Sequence, residues 1–167
     1  MAEPLRGIFP ALQATFDESG ELDVPSMERQ VAHCIEAGTH GLVFPVMGGE
    51  LFYLSESERK RLVEVVVKTA AGQVPVVAGV AATSTPVATA HARHAQEVSA
   101  DAVVALPPYH AHANLEEKRA YYRAIADAAE KEDIPNIAVP FKTTAQAERI
   151  HAAGHFKALD GVGSTVD

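Results

Sequence analysis

The chain has 167 residues, a length sufficient for one domain with a substantial core. Hydrophobic residues make up 47% of the chain and charged residues 22%, a composition typical of globular proteins. Its formal net charge of −8 argues against a nucleic-acid partner, and no apolar run approaches the about 20 residues that a membrane-spanning helix needs. The single cysteine, Cys34, excludes an internal disulfide, and the first residues lack a signal-peptide pattern, so the sequence predicts a cytoplasmic protein.

Short apolar runs alternate with helical patterns along the chain. The predicted strands are Gly7–Phe16, Gly41–Val46, Val74–Ala81 and Ala102–Leu106. The helices that follow them are each marked by a capping residue, in turn Asp23, Ser55, Thr85 and Asn114. The strands recur about every thirty residues, which is typical of βα units with right-handed crossovers. Such units build an α/β protein, either an open doubly wound sheet or a barrel.

The last part of the chain continues the alternation less regularly. Ile134–Phe141 is predicted to be a fifth strand, although Pro140 is unusual in one, and Leu159–Gly163 a sixth. Gln146–Ala153 between them has a helical pattern. Because a complete eight-unit barrel typically needs about 250 residues, we interpret residues 1–167 as one (β/α)-barrel domain that is incomplete on its C-terminal side.

The loop after the second predicted strand, Met47–Glu50, is the first candidate site. Its paired glycines, Gly48 and Gly49, allow a ligand to approach the backbone closely and present N–H groups to an anion. Ligands of βα proteins gather at such loops. The alternative interpretation is that the two glycines only make a tight turn.

Five segments carry a family resemblance, and they follow one another in the family's order: Phe9–Asp17, Gly41–Arg59, Pro75–Val80, His91–Ala95 and Ala100–Tyr109. Together they resemble the dihydrodipicolinate synthase and N-acetylneuraminate lyase family of pyruvate-handling Schiff-base lyases. The resemblance implies a (β/α)₈ (TIM) barrel, of which this chain covers strands one to six. It also implies a lysine imine with the substrate in place of a separate cofactor, and assembly into a homo-oligomer, often a tetramer.

The loop after strand two departs from the family pattern. The family usually has Gly-Thr-Thr-Gly-Glu there, whereas this chain has Val46–Glu50, without either hydroxyl. The backbone N–H groups of Gly48 and Gly49 remain able to bind a carboxylate, and Met47 indicates a different or bulkier pocket. The resemblance therefore makes Met47, Gly48 and Gly49 candidate substrate-binding residues.

A second departure concerns the catalytic lysine and tyrosine. The family motif Tyr-Asn-x-Pro-x-x-Thr is represented by Ile134–Thr143 without the tyrosine, and the strand-six lysine is missing from Gly161–Asp167. Two alignments remain open. In one, Lys142 replaces a basic residue that holds the substrate's distal carboxylate; in the other, this segment is strand six and Lys142 is the Schiff-base lysine. Thr143 matches the motif's threonine and is a candidate substrate-binding residue.

The resemblance and the apolar surroundings of Lys142 together predict its chemistry. A lysine must be neutral to attack a ketone, and an apolar site lowers its pKa by desolvation. Tyr109, after strand four, resembles the family tyrosine near the proton relay. We therefore predict Lys142 and Tyr109 as catalytic residues. Without the family, Lys142 would be interpreted as a lysine reaching solvent from a strand end, and Tyr109 as a half-buried aromatic residue.

Other candidate residues carry weaker signals. His110 and His112 could bind a metal together with Glu50, but two histidines and a distant carboxylate are common by chance, so no metal is predicted. His91 and His94 share a helix face and are expected to be packing or surface residues. The remaining tyrosines are expected to be packing residues; they are Tyr53, Tyr121 and Tyr122.

The predicted function is that of a lyase or aldolase acting on a small 2-oxo acid, with an aldehyde as a second partner. One alternative is a non-catalytic family member or fragment that serves as a binding or interaction protein. Another is a hydro-lyase of the same family acting on a sugar acid. An incomplete barrel would also leave apolar strand edges and helix faces uncovered. We therefore predict that the isolated chain either aggregates or is completed by further chain or a partner.

Overall fold

The computed structural model describes residues 5–108 and 113–129. Within these residues strands and helices alternate, as the sequence predicts. In chain order the elements are α1 (Val24–Glu36), β1 (Leu42–Phe44), α2 (Glu56–Ala70), β2 (Val76–Gly79), α3 (Thr85–Glu97), β3 (Ala102–Val104) and α4 (Leu115–Ala129). The predicted fifth and sixth strands and the helix between them lie outside the described residues.

The strands form a parallel sheet in the order β1-β2-β3. Phe44 is in register with Ala78, which is in turn in register with Val103. The N-terminal segment adds a single parallel bridge beside β1, between Ala11 and Val43. The four predicted strands are therefore neighbours and parallel, as expected of successive βα units.

The strands are shorter than predicted. β1 ends at Phe44, directly before Pro45, and proline is rare inside strands. In the N-terminal segment, Ile8 donates its N–H to the side chain of His40, over 3.1 Å, rather than to a strand. The predicted strand Gly7–Phe16 is therefore reduced to two isolated bridges, a parallel one between Ala11 and Val43 and an antiparallel one between Phe16 and Leu22.

Side-chain caps begin three of the helices where the sequence predicts them. Asp23 accepts a hydrogen bond from Ser26 N at α1, and Ser55 and Glu58 form a reciprocal capping box at α2. The hydroxyl of Ser26 also donates to the Asp23 carboxylate, and the hydroxyl of Ser55 donates to the Glu58 carboxylate. These two hydrogen bonds, followed by those from backbone N–H groups, hold the pKa values of Asp23 and Glu58 below their usual range. Asn114 caps α4 in the same way: Glu117 N donates to its Oδ1 over 3.0 Å.

The predicted start of α3 is wrong by one residue. Ala88 N donates to the carbonyl of Ser84 over 3.0 Å, which is the first intrahelical bond. Ser84 has an extended backbone and is the N-cap, and Thr85 is already helical. Thr85 therefore begins the helix instead of capping it.

The hydrophobic core lies between the sheet and the helices. Each helix buries one face against it, and the residues at the centre of these faces are Met27 and Val31 in α1, Leu62 and Val66 in α2, Ala88 and Ala92 in α3, and Tyr121 and Ile125 in α4. Cys34 packs partly buried against the core, as predicted. In the described part of the chain, none of the helices combines the length and apolar character that crossing a membrane would require.

Candidate active site

Three βα loops converge at one edge of the sheet. Because β1, β2 and β3 are parallel, their carboxyl ends meet at the same edge. This is the edge at which (β/α)-barrel enzymes carry their catalytic residues. The described parts of the loops are residues 45–55, 80–84, 105–108 and 113–114.

The glycine loop after β1 folds as a single 3₁₀ turn, Met47–Gly49. Gly49 N donates to the carbonyl of Val46 over 2.8 Å, so this N–H, one of the two predicted to bind a carboxylate, is engaged within the loop. Glu50 follows in the left-handed conformation, with φ of 61°. The assignment of Met47, Gly48 and Gly49 to substrate binding stays a prediction.

The position of this loop depends on Gly49. A Cβ atom there would lie 2.6 Å from the carbonyl oxygen of Leu12 and 3.2 Å from the ring of Phe44, so no side chain fits. The loop therefore lies directly on the N-terminal segment and on the end of β1. Met47 is 58% exposed.

The last residue of β2 is in contact with the first residue of the loop after β1. A Cβ atom at Gly79 would overlap the carbonyl oxygen of Pro45, so the two backbone segments approach each other as closely as glycine allows. This contact fixes where the two neighbouring βα loops begin.

Arg59 of α2 is buried behind the end of β2, with 5% of its surface exposed. Its Nη2 donates to the carbonyl of Gly79 over 2.7 Å, and its Nη1 donates to the carbonyl of Ala81 over 2.9 Å. Burial lowers the pKa of Arg59 to about 10, which still leaves the guanidinium charged at neutral pH.

Tyr121 of α4 reaches the same loop from the other side. Ala82 N donates to the Tyr121 hydroxyl over 3.2 Å, and the ring is 2% exposed. Burial raises the pKa of the Tyr121 hydroxyl. The packing prediction is confirmed for Tyr121 and wrong for Tyr53, which is 88% exposed.

His91 of α3 is buried beside Arg59, with 4% of its surface exposed. Its Nε2 lies 3.2 Å from a carboxylate oxygen of Glu56. The pKa of His91 is lowered mainly by burial and next by the positive charge of Arg59. It falls to about 4, so the ring is neutral at pH 7. His91 is therefore a packing residue, as predicted. His94, one turn later, lies 3.2 Å from Glu64 near the surface.

The sequence analysis does not identify Arg59 as a functional residue, but the position of Arg59 on an apolar helix face indicates that it is buried. In the pattern of α2, Arg59 shares a face with Leu62, Val63 and Val66, all of them buried. A charged residue on an apolar face must find polar partners inside the protein. The carbonyls of Gly79 and Ala81 are those partners, but tertiary structure is needed to identify them.

The predicted catalytic and remaining substrate-binding residues, Tyr109, Lys142 and Thr143, lie outside the described residues, and so do His110 and His112. Their roles stay predictions. Within residues 5–108 and 113–129, no three His, Cys, Asp or Glu side chains come close enough together to hold a metal ion.

Parallel βα units with their loops gathered at one edge define this protein as an α/β protein. The chain belongs to the dihydrodipicolinate synthetase family, which it matches over residues 4–159. This confirms both the family resemblance and the fold, of which the chain contains a part.

Three curated relatives show how broad the family is. The chain is 41% identical to a 4-hydroxy-tetrahydrodipicolinate synthase of Phenylobacterium zucineum, over 78% of this chain and 44% of the relative. It is 38% identical to an N-acetylneuraminate lyase of Citrobacter koseri, with the same two coverages. It is 40% identical to an L-2-keto-3-deoxyarabonate dehydratase of Azospirillum brasilense, over 63% of this chain and 34% of the relative.

Solved structures give the same result. A prophage protein of the dihydrodipicolinic acid synthase family from E. coli K12, solved in complex with pyruvate, superposes with a TM-score of 0.71 at 30% identity. The match covers 73% of this chain and 41% of that protein. The chain thus spans less than half the length of the relatives it matches.

Proposed function

We propose that the protein is a lyase or aldolase that acts on a small 2-oxo acid through a lysine Schiff base. Family membership carries the proposal, since similar chains include a synthase and a lyase. The convergence of the described βα loops at one edge supports it, because that edge is where a barrel enzyme binds its substrate. We also propose that it acts in the cytoplasm as a homo-oligomer.

In the proposed reaction, the neutral amine of Lys142 attacks the ketone carbon of the 2-oxo acid. The ketone oxygen leaves as water, and an iminium ion forms on Lys142. The bond that then breaks joins the carbon next to the iminium carbon to a carbon that carries a hydroxyl group. Tyr109 takes the proton of that hydroxyl, which becomes the carbonyl of the departing aldehyde, and the electron pair of the broken bond moves to the iminium nitrogen and leaves an enamine. Protonation of the enamine carbon and hydrolysis by water release the shortened 2-oxo acid and free Lys142. No further cofactor is required.

The substrate carboxylate is assigned to the glycine loop after β1, with Met47 shaping the pocket. Thr143 contributes a hydroxyl beside Lys142. The loss of both family hydroxyls from Val46–Glu50 supports a substrate that differs from that of the family's synthases.

A sugar-acid hydro-lyase is the second candidate, and the similarity to a dehydratase favours it. It uses the same imine, but the bond that breaks is carbon–oxygen and the product is water instead of an aldehyde. Incubation with 2-keto-3-deoxy sugar acids, followed by analysis of the products, separates the two reactions.

Reductive trapping tests the shared step. The protein is incubated with pyruvate and borohydride, which reduces an imine to a stable secondary amine, and its intact mass is measured. We expect a single pyruvyl adduct on the wild type and on Lys118→Ala, and none on Lys142→Ala. Lys118 is exposed in the first turn of α4 and is the matched control. A folded wild type that forms no adduct with any 2-oxo acid would favour the non-catalytic alternative.

A further inference from the structure

The last residue of β2 and the loop that follows it form a buried stretch with no polar side chains. Its residues Gly79, Val80, Ala81 and Ala82 offer only backbone groups for hydrogen bonding. The side chains of Val80, Ala81 and Ala82 are all buried. Backbone groups removed from water need partners. The N–H of Val80 finds one in the sheet, at the carbonyl of Val104, and side chains from elsewhere bind other backbone groups of this stretch.

Two helices supply those partners, and they hold opposite ends of one peptide group. The carbonyl of Ala81 accepts from Arg59 Nη1 over 2.9 Å, and the N–H of Ala82, on the same peptide bond, donates to the Tyr121 hydroxyl over 3.2 Å. The rotation of the Ala81–Ala82 peptide group is thereby fixed by α2 on one side and by α4 on the other. Arg59 also holds the preceding carbonyl of Gly79.

The bonds to Arg59 are strong ones. A charged donor makes hydrogen bonds roughly twice as strong as a neutral donor does. The guanidinium remains charged although it is buried, and its planar fork fits two carbonyls that are two residues apart. A lysine in its place would present a single ammonium group and could not reproduce both bonds in this geometry.

This stretch begins at the candidate site. Gly79 lies against the carbonyl of Pro45, two residues before Met47. A shift of this stretch at Gly79 therefore displaces Pro45, the first residue of the loop after β1.

We propose that Arg59 and Tyr121 are positioning residues that fix the Ala81–Ala82 peptide group and thereby the loop after β2 at the carboxyl edge of the sheet. They act through the backbone and do not touch the substrate. The consequence for catalysis rests on the proposed function, because it requires that this edge carries the imine-forming site. The fixing of the loop does not depend on that function.

Amide hydrogen exchange tests the fixing of the loop. Tyr121→Phe removes only the hydroxyl, and we expect exchange of the Ala82 amide to accelerate about tenfold. The Val80 amide, which donates to Val104 across the sheet over 2.8 Å, should be unchanged and is the internal control. Tyr53→Phe, at an exposed tyrosine, is the matched variant and should leave both amides unchanged. Unaltered Ala82 exchange in Tyr121→Phe, or equal acceleration at Val80, would overturn the proposal.

Two substitutions at Arg59 extend the test to chemistry. Arg59→Lys and Arg59→Met are compared with Arg61→Met, an exposed arginine on the same helix. We expect the rate of imine trapping at saturating pyruvate to fall roughly threefold or more in Arg59→Met, with partial recovery in Arg59→Lys and no change in Arg61→Met. If the wild type traps pyruvate and Arg59→Met traps it at the same rate, the catalytic consequence is wrong. If the wild type traps no 2-oxo acid, the proposed function fails, and Ala82 exchange alone decides whether the loop is fixed as proposed.

Discussion

Three buried polar side chains, Arg59, His91 and Tyr121, lie where α2, α3 and α4 pack around the end of β2. Each comes from a different helix, and each sits on a helix face that is otherwise apolar. Burial shifts all three pKa values toward the neutral form of the group. These residues link the helical layer to the edge of the sheet that carries the candidate site.

His91 predicts a specific pH dependence of stability. Its pKa in the folded protein is about 4, below the ordinary value of 6.5. The unfolded chain therefore binds a proton at a pH at which the folded protein does not. The stability that His91 contributes is fully present above pH 6.5 and is lost as the pH falls toward 4. Linkage puts this contribution at about 3 kcal/mol.

Replacing the histidine isolates its effect. The free energy of unfolding is measured by urea titration between pH 7.5 and pH 4 for the wild type and for His91→Gln. Carboxyl groups away from the histidine titrate in both proteins, so the difference between the two curves reports His91 together with its neighbour Glu56. We expect the wild type to lose about 3 kcal/mol more than the variant over this range. Parallel curves would show that the histidine is not held neutral by its surroundings.

At the scale of elements, the agreement between sequence and structure follows from local signals. The capping boxes at Ser55 and Asn114 and the apolar face of α1 were readable because they involve residues within one or two turns. Strand lengths were overestimated because an apolar run does not reveal where its backbone partners end. β1 stops at Phe44 although the apolar run continues.

At the candidate site, too, hydrogen-bond partners in the folded protein cannot be identified from the local sequence. The glycine loop could be located from Gly48 and Gly49, but its internal hydrogen bond to Val46 could not. The partners of Arg59 are twenty or more residues away in sequence and belong to another element. Nothing local in the α2 sequence specifies them.

The contact between Gly79 and Pro45 gives a prediction about how neighbouring units pack. Gly79→Ala would place a methyl group against the Pro45 carbonyl, where no flexible side chain can yield. We expect a loss of roughly 1–3 kcal/mol or more in the free energy of unfolding, as for other overpacking substitutions. Gly48→Ala is the control, because its nearest neighbour would be the flexible end of Gln13 at 3.6 Å. Equal stabilities of the two variants, measured by urea unfolding, would contradict the packing.

At the scale of the whole molecule, the chain spans less than half the length of the relatives that it matches. Its match covers 44% of the 4-hydroxy-tetrahydrodipicolinate synthase relative. A barrel buries both faces of its sheet by closing on itself, and a set of βα units that does not close exposes apolar surface. The partial barrel therefore has a physical consequence that can be measured.

We predict that the isolated 167-residue polypeptide aggregates, or is stable only when further chain or a partner completes the barrel. Sedimentation of the purified chain and its thermal unfolding provide the test. A monodisperse monomer of 17.7 kDa that melts cooperatively without a partner would contradict the prediction.

The proposed function depends on a Schiff base between the substrate and Lys142. Peptide mapping after reductive trapping tests directly whether that Schiff base forms. The protein, with any partner it requires, is treated with ¹³C-labelled pyruvate and borohydride, digested, and analysed by mass spectrometry. We predict that the labelled pyruvyl group is found on the peptide that contains Lys142 and on no other lysine. Labelling of a different lysine, or none in a verified folded protein, would contradict the claim.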